Sequence, residues 1–68
     1  MNSGELRDVW MRLQISMETV EDAAVLLGPS DREQAARLTK IATRIKMETV
    51  LLGEKIEAAH KAEKRELR

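Results

Sequence analysis

Apolar residues recur along the first part of the chain at Leu6, Trp10, Leu13, Met17, Val20, Ala24 and Leu27, with steps that alternate four and three. This is the seam of an amphipathic helix with a heptad period. Trp10, Met17 and Ala24 take one seam position; Leu6, Leu13, Val20 and Leu27 take the other, and Val9 widens the stripe. Ser3 is placed to cap the start. Gly28 and Pro29 supply the stop: a glycine can end a helix in the left-handed region, and a proline cannot continue it. Ser30-Asp31-Arg32-Glu33 then matches a capping box, with Ser30 and Glu33 as its reciprocal partners. A second stripe follows at Ala35, Leu38, Ile41, Ala42, Ile45, Thr49, Leu52, Ile56 and Ala59. Leu38 to Thr49 and Ile45 to Ile56 are eleven-residue intervals, a spacing that suits nearly straight helices.

The pattern predicts one all-α domain over 1–68, a two-helix antiparallel hairpin with helix 1 at about 4–27, a turn at 28–30 and helix 2 at about 31–65. A turn centred on Pro29 brings Leu13 opposite Ile45, Met17 opposite Ile41 and Leu6 opposite Leu52. Trp10 then fills the open end of the core with Glu48 or Thr49 as acceptor for its indole N–H; the alternative role for this one aromatic residue is a binding hot spot. In this register helix 1 ends level with Leu52, and everything from Glu54 onward overhangs, including the charged run from Lys61 to Arg68. Gly53 lies inside helix 2 as either a kink or a point of close approach. Met17-Glu18-Thr19-Val20 recurs as Met47-Glu48-Thr49-Val50, but the flanking residues do not align, which favours coincidence over duplication.

Length changes the picture. A chain of 68 residues builds only a small core, and such chains usually add disulfides, a metal or a partner subunit. There is no cysteine, so self-association is the expected supplement: a homodimer forming a four-helix bundle. Twelve acidic residues balance twelve basic ones, so there is no global attraction for nucleic acid or an anionic membrane. The N-terminal residues lack the pattern of a secretion signal, and the apolar runs Val25-Leu26-Leu27 and Val50-Leu51-Leu52 are too short to span a bilayer. No membrane partner is expected, and a cytoplasmic location is the default.

Several apolar residues fall off the core stripe. Met11 and Ile15 on helix 1, and Met47, Val50 and Leu51 on helix 2, are predicted to form one exposed partner-binding patch. Arg37, Lys40 and Arg44, together with Lys46, make helix 2 basic from Gln34 to Met47 and offer a nucleic-acid contact; Glu18, Glu21 and Asp22 at a matching height offer charge pairing between the helices instead. Lys55, Lys61, Lys64, Arg65 and Arg68 add basic residues to the tail, with Glu57, Glu63 and Glu66 between them. Glu57-x-x-His60 has the spacing of a di-iron ligand pair, but a carboxylate from a neighbouring helix is also required, so no metal and no cofactor is expected. One histidine, no cysteine and no glycine-rich phosphate loop give enzyme chemistry little to stand on.

The outline resembles Rop-like plasmid regulators in architecture, with no motif in common. The functional expectation is a small non-enzymatic protein–protein interaction module, such as an inhibitor, adaptor or accessory subunit. It would present an apolar helical face and pair with itself and with another protein. The alternative is a Rop-like dimeric regulator that grips RNA or DNA through the basic face of helix 2.

Overall fold

The computed structural model describes residues 1–66; Leu67 and Arg68, the latter counted with the basic tail, lie outside them. Two helices make up the fold, α1 over Ser3–Leu27 and α2 over Arg32–Glu66, packed along each other as an antiparallel pair. The molecule measures 58 × 14 × 13 Å, a rod two helices wide. None of its helices is long and apolar enough to cross a membrane, among the described residues.

Both helices start one residue away from the expected cap. Asn2 caps α1, with its side-chain oxygen accepting from the Glu5 N–H at 2.9 Å. Ser3 is thereby free for another partner. Asp31 caps α2, accepting from the Gln34 N–H at 3.0 Å, while its own N–H goes to the Leu27 carbonyl. Ser30 also donates its N–H to Leu27 and does not cap. The Ser30–Glu33 box is therefore not formed, because the helix begins past Asp31 and the favoured side chain at that point is the aspartate.

The turn differs from expectation in hand. Gly28 is right-handed helical at φ −47°, ψ −48°, and donates to Ala24 at 3.0 Å; no described residue has a positive φ. Pro29 stops the ladder by lacking an N–H, but the chain keeps its helical sense to Asp31 before reversing. That extra climb moves the facing partners by about two helical turns, and Leu13 shares a recess with Leu52 in place of Ile45. Trp10 lies opposite Gly53 in place of Glu48 or Thr49, and Ser3 reaches Glu63. The expected overhang from Glu54 onward is consequently absent as far as Glu63: Ile56 is buried and Ala59 is half-buried.

The α1 seam is as expected, with Leu6, Trp10, Leu13, Met17, Val20 and Leu27 half-buried and Ala24 buried. On α2 the covered positions are Ala35, Leu38, Ala42, Ile45, Thr49, Leu52, Ile56, Ala59 and Glu63. These steps alternate three and four throughout, a heptad frame that contains the eleven-residue intervals Leu38–Thr49 and Ile45–Ile56. Ile41, expected on the stripe, is half exposed. The residues closed in between the helices are Ala24, Ala42, Thr49 and Ile56, and no large side chain is fully buried. Thr49 donates its hydroxyl to the Ile45 carbonyl of its own helix at 2.8 Å, and the Trp10 indole Nε1 lies at Gly53 instead.

Candidate interaction surfaces

The seam has two edges, and they differ in chemistry. Trp10, Met17, Ala24, Ala42, Thr49 and Ile56 recur at one heptad position. They open onto shallow recesses shared with Arg7, Gln14, Glu21, Thr39, Lys46 and Gly53. This edge carries large apolar side chains, Trp10, Met17 and Ile56, beside small and polar ones. The other heptad position holds Leu6, Leu13, Val20 and Leu27 on α1 and Leu38, Ile45, Leu52 and Ala59 on α2; every one is aliphatic and none is buried. Leu13 and Leu52 line a recess with Val9, Leu51, Glu48 and Lys55 on that side. The hairpin thus closes on Ala24, Ala42, Thr49 and Ile56 and leaves a wholly aliphatic crest half uncovered along one face.

The sequence singled out a different set. Met11, Ile15, Met47, Val50 and Leu51 are each more than half exposed. Met47, Val50 and Leu51 share one apolar groove on α2 with Thr43 and Lys46. Met11 sits elsewhere, beside Arg7, Trp10, Gly53 and Ile56. Ile15 falls on the far side of α1, half a helical revolution from the seam. The structure therefore brings three of the five together. The shift in register separates Met11 from the level of Met47, and helical phase turns Ile15 away. Reading the off-stripe residues as the open surface overlooked the seam itself, whose leucine position looks like core in any helical plot. The available signal was the pairing of alanine, threonine and glycine at one seam edge with leucine at the other.

Arg37, Lys40 and Arg44 are exposed along the outer side of α2. Glu18, Glu21 and Asp22 do not pair with them. The ion pairs among the described residues are Arg12–Asp8 at 3.2 Å and Lys61–Glu57 at 3.6 Å, each within one helix and solvent-exposed. Pairs of that kind contribute at most about 1 kcal/mol.

One polar link spans the open end. The Glu63 carboxylate accepts from the Ser3 backbone N–H at 2.8 Å and from the Ser3 hydroxyl at 2.6 Å. It supplies a partner to a free N–H at the start of α1, where an anion also meets the positive end of the helix dipole. The Ser3 hydroxyl and backbone bonds hold the Glu63 carboxyl below the ordinary glutamate range; its partial desolvation opposes this and the nearby His60 adds to it. Sequence reasoning missed the link because it took Ser3 for a cap and ended α1 level with Leu52. Continuing both heptad frames by one step lands on Ser3 and Glu63. The Glu57–His60 pair has Lys61 as the partner of its carboxylate, and no group of three metal-ligating side chains occurs among the described residues.

The chain matches no protein-family model, no curated protein and no solved structure.

Proposed function

We propose that this protein is a small non-enzymatic interaction module that binds proteins through uncovered apolar helix surface and does so as a homodimer, two hairpins forming a four-helix bundle. The observation that carries the reading is the surface left open. The chain exposes 5669 Å². A compact monomer of its mass exposes about 4,300 Å². The excess, about 1,300 Å², is total surface and reflects the rod shape; within it Met11, Ile15, Ile41, Met47, Val50 and Leu51 are all at least half exposed. Exposed apolar side chains in this number support association. An inhibitor, an adaptor and an accessory subunit all fit a rod that offers one helical face to itself and another to a partner.

Molar mass measured across a concentration series, with helicity by circular dichroism, tests the self-association. A fully helical monomer at all concentrations refutes the dimer. For the heterologous partner, the groove of Met47, Val50 and Leu51 is the candidate seat. Met47→Asp/Leu51→Asp is expected to lose bound protein while remaining helical; retention of every partner would sink that assignment.

A second reading has its own support: Arg37, Lys40 and Arg44 lie three and four residues apart on one exposed side of α2, with no ion-pair partner among the described residues. Phosphate binding there would weaken steeply as salt rises, by about 0.7 to 0.9 log units per log unit of salt for each phosphate neutralised. Absence of any shift with duplex or single-stranded RNA or DNA at low salt ends this reading.

A further inference from the structure

We infer that the aliphatic crest is the self-association face, and that two copies meet on it about a twofold axis level with Leu51 and Leu52. The inference rests on the reading of the protein as a self-associating module and specifies the face and symmetry it uses.

Four observations converge. The crest residues from Leu6 to Leu27 and from Leu38 to Ala59 are all aliphatic and all incompletely covered, whereas the opposite edge mixes half-buried Trp10 and Met17 with buried Ala24, Ala42 and Thr49 and is rimmed by Arg7, Glu21 and Lys46. The positions flanking the crest are nearly free of charge: Val9, Ser16 and Ala23 on α1, and Ile41 on α2. Burial of this face therefore desolvates little that is ionised.

Two of the three charges that flank it are self-complementary. Glu48 and Lys55 line the same recess as Leu13, Leu52 and Glu54, on either side of Leu51 and Leu52 and about 10 Å apart along the helix. A twofold axis perpendicular to the rod at that level lays α2 antiparallel on its copy. It sets Glu48 of each copy opposite Lys55 of the other, twice per dimer, as an isologous interface requires. The same operation brings Ile45 opposite the copy's Ala58 and Ala59, a large side chain against small ones, and brings Leu13 of both copies to the axis.

The axis also falls in the right place for overlap. Leu51 and Leu52 lie within one turn of the middle of α2, which runs from Arg32 to Glu66, so the two rods coincide over nearly their whole length.

The test uses charge reversal at two exposed positions, in the full chain, with dimerisation followed by sedimentation equilibrium and folding by circular dichroism. Glu48→Lys and Lys55→Glu each turn two attractive pairs into two repulsive ones. Each is expected to weaken the dimer by about tenfold or more. The double variant Glu48→Lys/Lys55→Glu recovers the wild-type dissociation constant. An equimolar mixture of the two single variants forms a heterodimer tighter than either homodimer, because every cross-pair is then opposite in sign. If the wild type dimerises and the single variants dimerise equally well, or the double variant fails to recover, the face and its symmetry are wrong while self-association stands. If the wild type is monomeric throughout, both fall.

Discussion

Gly53 is a sharp probe of the register, because the two roles a glycine can have inside a helix predict opposite signs. It sits opposite Trp10, and a Cβ built on it would lie 3.8 Å from the indole Nε1, with no other atom of the opposing helix within 4 Å. That is ordinary van der Waals contact, so an added methyl meets no clash. Its backbone is part of α2. Replacing an interior helical glycine by alanine recovers about 0.8 to 1 kcal/mol of helix propensity, most of it by restricting the unfolded chain. Gly53→Ala is therefore expected to stabilise the protein by about 1 kcal/mol. For a chain of this size that raises the melting temperature by about 4–8 °C. Thermal unfolding monitored by circular dichroism reads it, with protein concentration held fixed because any dimer couples to folding. A fall in melting temperature would refute the packing described here: it would mean that Trp10 needs the glycine surface itself, or that α2 must bend at Gly53. The same variant carries a control. Gly53 lies on the edge opposite the aliphatic crest, so its dimerisation constant should not move; a change would place the interface on the wrong side.

Other perturbations reach separate parts of the fold. Asp31→Ala should cost about 1 kcal/mol through loss of the α2 cap, and Ser30→Ala less than about 0.5 kcal/mol, as measured by urea unfolding; the reverse order would restore the Ser30 box. Ile56→Ala removes the one large aliphatic side chain that is buried and should cost about 2–3 kcal/mol, the low end for such truncations because the site adjoins an open recess with Met11. Met47→Ala, on the outside, should stay within about 0.5 kcal/mol in the monomer. The Glu63 carboxyl titrates below its unfolded value, so its link to Ser3 is stabilising at neutral pH and is lost as pH falls through that lowered pKa. The stability difference between wild type and Ser3→Ala should accordingly be present at pH 7 and vanish near pH 2; an equal difference at both would show that ionisation of Glu63 is irrelevant.

The hairpin was legible in the sequence, and so was the α1 seam, because its alternation of four and three admits a single frame. The α2 frame was ambiguous. Leu38, Ile45, Leu52 and Ala59 fit two heptad phases, one completed by Ile41, Glu48 and Lys55, the other by Ala42, Thr49 and Ile56. Hydrophobicity alone favours Ile41 over Ala42. The structure chooses the second phase because two helices approach as closely as their smallest facing residues allow, and Ala24, Ala42 and Gly53 permit a close approach that Ile41 would block. The register was missed for a local reason: reading Gly28 as left-handed reverses the chain about one turn too early. The misplacement of Met11 follows from that turn, and that of Ile15 from helical phase. Met11 was set level with Met47, and Ser3 and Glu63 were left without each other.

The repeated tetrapeptide makes the dependence on phase concrete. In Met17-Glu18-Thr19-Val20 the methionine and valine lie on the seam and the threonine is exposed; in Met47-Glu48-Thr49-Val50 the threonine is buried and the methionine and valine are outside. Identical residues meet opposite environments, so their composition does not decide their role. Both threonine hydroxyls donate to the carbonyl four residues back, at 2.8 Å, in Thr19 to Ile15 and in Thr49 to Ile45. The hydroxyl is satisfied within the helix in either phase, and burying Thr49 leaves no polar atom without a partner among the described residues. A threonine can then occupy a tight seam position that a glutamate could not. The consequence is a seam closed by small residues, with its leucines pushed to one side. A hairpin built this way is narrow and joined through its small residues, and its aliphatic crest is left half covered.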